Sequence, residues 1–206
     1  MSHLPDGDQP YRRGREAGQS LVEFALVFPL FMLLMLFIIE FAFVFSALLG
    51  INYASRNGAL IAAEAGNDPL ADCVILQQVE DSIGAPGNKA NIATVTIYRS
   101  DQSGSVRLAT LTYTRSTTLS TTCTKGTGAT ATTLTVPYTS PNGTYTYDQR
   151  CNILTGCSNL GRTQLDTIGV EITYHHSWVT PIQNFGLAGT GATLTQSNAM
   201  RMEPVL

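Results

Sequence analysis

The dominant feature of the hydropathy pattern is one apolar run near the start of the chain. From Phe24 it continues to Ile39 and, after Glu40, resumes from Phe41 to Leu49. A helix needs about 20 apolar residues to cross a ~30 Å hydrocarbon core, and this run exceeds that length. The helical pattern continues through GINYASRNGALIAAEAGN. There Ala54, Ala59, Ala62, Ala63 and Ala65 suit close packing, and Leu60 and Ile61 add an apolar face. Gly66–Asn67 reads as the end. A single helix from Gln19 to Ala65 would measure roughly 70 Å. Its first half would lie in lipid and its second half would pack on an external domain. Pro29 inside it predicts a kink rather than a stop, because neighbouring groups in a membrane helix can meet the freed carbonyl.

A second helix is expected over Asp68–Gly84. Asp68 can cap it, Pro69 suits its first turn and Gly84 can close it. Cys73, Leu76, Val79 and Ile83 recur at helical spacing and form its core face. After Gly87 the composition shifts to Thr, Ser, Val and Tyr, and the period changes to two. Strands are expected at Ile92–Arg99 and Ser105–Thr114, joined by the hairpin turn SDQSGS. Leu134–Tyr138 is a third, pushed to an edge by Pro137. Thr167–His175 alternates well, with Ile168, Val170, Ile172 and Tyr174 on one face, and Thr193–Glu203 closes the series. TTCTKGTGATATT and TSPNGTYTYD read as loops or exposed strand faces. Helices first and a mostly antiparallel sheet afterwards define an α+β fold.

Charge gives the anchor a direction. Only 13 % of the 206 residues are charged, and the net charge is −3, so no basic field for nucleic acid exists. Arg12, Arg13 and Arg15 precede the apolar run, whereas the first basic residue after it is Arg56. The positive-inside rule then places the N-terminus in the cytoplasm and the rest of the chain outside. A cleaved secretory signal has a shorter apolar core, roughly 7–15 residues. The expected organisation is a basic leader over 1–18, a transmembrane helix with its external extension over 19–66, and an extracytoplasmic domain over 67–206.

The four cysteines, Cys73, Cys123, Cys151 and Cys157, all follow the anchor, and none sits in a CxxC pair. An even number on the external side fits disulfides. Three connectivities are open, with four buried thiols as the alternative. The short, glycine-bearing loop CNILTGC favours Cys151 with Cys157, which leaves Cys73 with Cys123. Signals for catalysis are missing. His175 and His176 are adjacent, so on a strand they face opposite ways and cannot jointly hold one metal. GxSxG, HExxH and P-loop patterns are missing, and Asp148, Asp166 and Glu171 show no acid–base spacing. The expectation is a non-enzyme without metal or cofactor. Trp178 reads as a core or strand-end aromatic, with a binding surface as the alternative, and Asn142-Gly143-Thr144 is a formal glycosylation sequon.

Two carboxylates remain to be explained, Glu23 near the start of the apolar run and Glu40 within it. A charge at the bilayer centre costs about 2.5–3.5 kcal/mol on insertion scales. Glu40 is cheap if lipid covers Leu21 to Ile39 and deep if lipid covers Phe24 to Leu49. The segment AGQSLVEFALVFPLFMLLMLFIIEFAFVF followed by NYASRNGALIAAEAG resembles the TadE-like family of bacterial tight-adherence pilus proteins. The likeness is carried by Gly18, Gln19-Ser20, Glu23-Phe24, Pro29, Glu40 before an aromatic, and Arg56-Asn57-Gly58-Ala59. It covers about Ala17 to Gly66, with a weaker likeness in VEITYHHSWVTP and ATLTQSNAMRMEP, and the middle of the chain is unmatched.

The resemblance implies a pilin-like architecture at the bacterial inner membrane and a role as minor pseudopilin or assembly factor in pilus biogenesis, adhesion and biofilm formation. It implies a prepilin peptidase as partner, cutting between Gly18 and Gln19. Glu23 would then pair with the new N-terminal ammonium of a neighbouring subunit, and Phe24 and Glu40 would serve helix–helix contact with other pilin-like proteins. Some proteins with this domain are never cut and stay as anchors, and the leader here carries Asp6, Asp8 and Glu16 beside its arginines. The alternatives are an uncleaved, membrane-anchored binding module and, ranked lower, a type II secretion pseudopilin, since Gln19 stands where that class has an aromatic.

Overall fold

The computed structural model describes residues 16–204 except Pro86, Ser105 and 181–188. The arginine leader and Pro181 therefore lie outside the described residues. Helix α1 runs without interruption over Glu16–Ala65, with Pro29 inside it. Gly66, at a positive φ of 56°, follows its end. Helix α2 covers Ala71–Ser82. Among the described residues seven strands follow: β1 Ile92–Ser100, β2 Arg107–Thr114, β3 Thr121–Lys125, β4 Thr132–Val136, β5 Asn142–Gly143, β6 Thr167–Ser177 and β7 Gly191–Arg201. Five form one sheet in the order β5-β2-β1-β6-β7, and β3 and β4 form a separate hairpin. Every pairing is antiparallel, and the fold class is α+β.

The chain divides into two compact units, Met1–Phe41 and Ala42–Leu206. In the second, the core forms between the small-residue face of α1, the apolar face of α2 and one face of the large sheet. Its members include Ile51, Ala54, Ala59 and Ala62 of α1, Cys73, Leu76 and Val79 of α2, and Val95, Ile97, Leu111, Val170 and Ile172 of the sheet. The register explains the sheet's contribution. Ile97 stands between Leu111 and Val170, and Val95 between Tyr113 and Ile172. A period of two puts all six on one face.

Gly58 shows why α1 carries small residues here. A Cβ at this position would lie 2.9 Å from Val79 Cγ2 and 3.2 Å from Val170 Cγ1, so the helix meets both α2 and the sheet at contact distance. Gly143 in β5 has a harder requirement. It adopts φ 138°, and a Cβ would fall 2.1 Å from the Thr110 carbonyl oxygen. Glycine is what lets β5 pair with the edge of β2.

Several boundaries differ from the pattern-based expectation. Asp68 does not cap α2 as its N-cap residue. Leu70 holds that position without a side-chain cap bond, while Asp68 Oδ1 accepts from Leu70 N at 2.8 Å and its carbonyl accepts from Ala71 N at 2.9 Å. The pair Asp68-Pro69 thus makes a turn before the helix, because Pro69 supplies no N–H to a cap. Gly84 lies beyond the end of α2, where Ile83 has already turned to extended backbone. The threonine-rich stretch read as loop or exposed strand faces forms β3, and the third expected strand is β4, which ends before Pro137. Both belong to the hairpin rather than to the edge of the main sheet. Their inward residues Cys123 and Leu134 pack on the core, and α2 is the element they touch.

Candidate functional site: the N-terminal helix and its docking

In the first unit the apolar surface is continuous. Leu21, Phe24, Leu26, Val27, Leu30, Phe31, Leu34, Phe37, Ile38 and Phe41 are all exposed. A helix that is apolar all round must be covered by something other than water. The segment Gly18–Ala65 contains a window long and apolar enough to cross a membrane, and none of that window is buried in the protein itself. This fits a membrane anchor.

At its start, Gln19 Nε2 donates to Glu23 Oε1 at 3.1 Å. The spacing of four residues places both side chains on one face, one turn apart. Phe24 packs on Phe28 with ring centroids 5.3 Å apart. Gly18 lies within α1, and space around its Cα is open. Glu40 differs from its neighbours. Its side chain is buried, at 3 % exposure, while Ile39 and Phe41 on either side are exposed at 42 % and 70 %. Sequence left the environment of this carboxylate open between interface and lipid.

Beyond Ala42 the helix is fixed by polar groups as well as packing. Asn198 of β7 donates to Ser55 Oγ at 2.6 Å and to Asn52 Oδ1 at 3.1 Å. Asn57 Nδ2 reaches Ser82 Oγ of α2 at 3.2 Å. Glu203 N donates to the Ala63 carbonyl at 3.1 Å. The NYASRNGA motif thus has a docking task at Asn52, Ser55, Asn57 and Gly58.

Three buried ionic clusters were not legible in the sequence. Arg150 pairs with Asp72 of α2, and Tyr113 donates to the same carboxylate at 2.9 Å. Asp166 accepts from Tyr145 at 2.9 Å and from Cys151 N at 3.0 Å, and pairs with Arg162. Glu80 of α2 pairs with Arg115 at 2.9 Å. Burial, followed by the adjacent carboxylate, pushes the Tyr113 and Tyr145 phenols far above their ordinary range. The one available signal was Asp72 and Glu80 among the apolar positions of α2. Each carboxylate is held by an arginine, which is the requirement for keeping a charge inside a protein.

Two disulfides are formed. Cys73–Cys123 ties α2 to β3, and Cys151–Cys157 closes a short loop beside Arg150 and Asp166. His175 is exposed and bonds Thr193 Oγ1 at 3.1 Å, whereas His176 is buried and meets Trp178 edge-on. Trp178 itself is half-buried just past β6, its indole N–H donating to the Gly189 carbonyl.

These features define a class: an α+β protein with one N-terminal helix that fits a membrane anchor and a disulfide-bonded domain docked on the helix's second half. Residues 18–60 match the model of the family described as TadE-like protein. The match therefore falls on α1, including Gly18, Gln19, Glu23, Glu40 and the docking motif, and stops before α2. No curated protein and no solved structure matches the chain.

Proposed function

We propose that this chain is a single-pass membrane protein of tight-adherence pilus assembly, acting as a minor pseudopilin or assembly factor. The observation that carries the reading is the coincidence of the TadE-like match over 18–60 with a helix whose first half exposes a long apolar surface and whose Glu23 lies near its start. The family is not one of enzymes. In this reading the helix sits in the bacterial inner membrane with its N-terminus in the cytoplasm, and the domain from residue 67 onward is extracytoplasmic. A prepilin peptidase cuts between Gly18 and Gln19. The new ammonium then supplies a partner for Glu23 of a neighbouring subunit, which offsets the cost of a carboxylate at the membrane edge. Before the cut, the Gln19 amide is the group that Glu23 accepts from.

N-terminal sequencing of the protein from its native membrane tests this. With the peptidase present, the chain should begin at Gln19. Recovery of only the intact chain under those conditions would remove the pseudopilin role and leave that of an uncleaved anchor. In cells, Glu23→Ala should abolish piliation while leaving the protein in the membrane. Normal piliation with that variant would instead favour an anchored external module.

A further inference from the structure

In the second unit, β7 and α1 run in the same direction. Asn198 of β7 bonds Asn52 and Ser55, and farther along both chains Glu203 N bonds the Ala63 carbonyl. The start of β7 at Gly191 therefore lies toward Ala42, where this unit's part of the helix begins. From Gly191 to Asn198 a strand rises roughly 23 Å, and a helix covers that distance in about 15 residues. This leads back from Ser55 to the neighbourhood of Ala42. The end of β6 is at the same level, since Ser177 pairs with Gly191. The start of β1 and the end of β2 belong to this end too, because Ile92 pairs with Tyr174 and Thr94 with Thr114. On this stretch of α1, Phe45 and Leu49 are exposed, and they continue the apolar surface that a bilayer would cover.

The two ends of the sheet differ in chemistry. Asp101, Asp166 and Glu203 stand at the far end, after β1, before β6 and after β7. At the near end, residues 83–91, 115–120, 175–180 and 189–193 contain no aspartate or glutamate. Glu80 and Asp81 of α2 stand level with Asn57, which bonds their neighbour Ser82, and so lie farther from Ala42. The near end instead exposes Val179 and Leu119, at 62 % and 60 %, beside the half-buried Trp178. Lys89 is exposed there and enters no ion pair among the described residues. Tryptophan favours the headgroup level of a membrane, small apolar groups gain by entering its boundary, and lysine is drawn to anionic headgroups.

We infer that this end of the domain rests on the bilayer surface, with Trp178 and Val179 at the headgroup boundary and Lys89 against the phosphates of anionic lipid. The contact would hold the domain in one orientation on the membrane, and it rests on the reading of α1 as a membrane anchor.

Trp178 is the chain's one tryptophan, so its fluorescence reports its own depth. The full chain is reconstituted in phosphatidylcholine vesicles, with or without phosphatidylglycerol, whose lipids carry a spin label either near the headgroup or deep in the acyl chain. Flotation with the vesicles checks the anchor separately. The shallow label should quench Trp178 more than the deep label, and more strongly when phosphatidylglycerol is present. Val179→Asp should relieve the quenching, and Lys89→Glu should remove the effect of phosphatidylglycerol, with both variants still floating. A chain that does not float would overturn the anchor and this inference with it. A floating chain whose Trp178 escapes the shallow label, or is quenched as strongly in Val179→Asp, would overturn the surface contact alone. Quenching indifferent to phosphatidylglycerol would overturn the pairing of Lys89 with anionic lipid.

Discussion

Arg150 and Asp72 form an ion pair inside the protein, with the arginine side chain fully buried and the aspartate 7 % exposed. The pair joins the Cys151–Cys157 loop to the first turn of α2, across 78 residues of sequence. Removing one partner leaves a buried charge unmatched, which costs about 3–5 kcal/mol. Arg150→Met and Asp72→Leu should each destabilise the protein by that amount in urea unfolding of the solubilised chain. The double variant should be less destabilised than the sum of the two. Simple additivity would show that the pair is not energetically coupled.

The Cys73–Cys123 bond closes a loop 50 residues long, and Cys151–Cys157 one of 6. On the chain-entropy model these correspond to about 4 and about 2 kcal/mol, respectively. Replacing Cys73 and Cys123 together by alanine should therefore lower stability more than replacing Cys151 and Cys157. It should also release the β3–β4 hairpin, whose contacts are with α2. Hydrogen exchange at Thr122–Thr124 and Thr133–Thr135 would report it. Unchanged protection there would show that packing alone holds the hairpin.

Gly58→Leu tests the docking of α1. The Cβ alone would press on Val79 and Val170, and further atoms must displace α2 or the sheet. Overpacking of this kind typically costs about 1–3 kcal/mol, occasionally more. A lowered unfolding midpoint is expected, with the chain still inserted in membranes. An unaltered midpoint would contradict the close approach of helix and sheet.

Three of the buried tyrosines give a pH prediction. Tyr113, Tyr138 and Tyr145 each have a phenol raised well above the ordinary value, chiefly by burial and then by a neighbouring carboxylate. The folded protein holds these protons more tightly than the unfolded chain. Stability is thus fully present below the unfolded phenol value of about 10 and falls as pH rises above it. Tyrosinate absorbance at 295 nm should show these phenols ionising together with loss of circular dichroism. Smooth ionisation of all tyrosines near pH 10 without unfolding would refute the burial.

Much of this was legible beforehand because it depends on local pattern. The alternation Ile168-Val170-Ile172-Tyr174 marked the buried face of β6, and all four are buried. The spacing of Cys73, Leu76, Val79 and Ile83 marked the inner face of α2. The cysteine pairing favoured by the short CNILTGC loop coincides with the one formed. Strand β3 was obscured because Cys123 is its only apolar position, too few to outline a strand, whereas β4, with Leu134 and Val136 inward, was expected at Leu134–Tyr138. The start of α2 was misplaced because Asp68 and Pro69 fit a turn as well as a cap.

By itself the sequence determined a long N-terminal helix that fits a membrane anchor, with its apolar surface and its TadE-like residues, and the α+β order of elements. Those follow from residue type and spacing within a few turns of chain. Only the tertiary structure decided which charges are partnered. Asp72 meets Arg150 and Asp166 meets Tyr145 through contacts that no local window contains. Such contacts arise when distant segments pack, and burial then compels a carboxylate to find a compensating group.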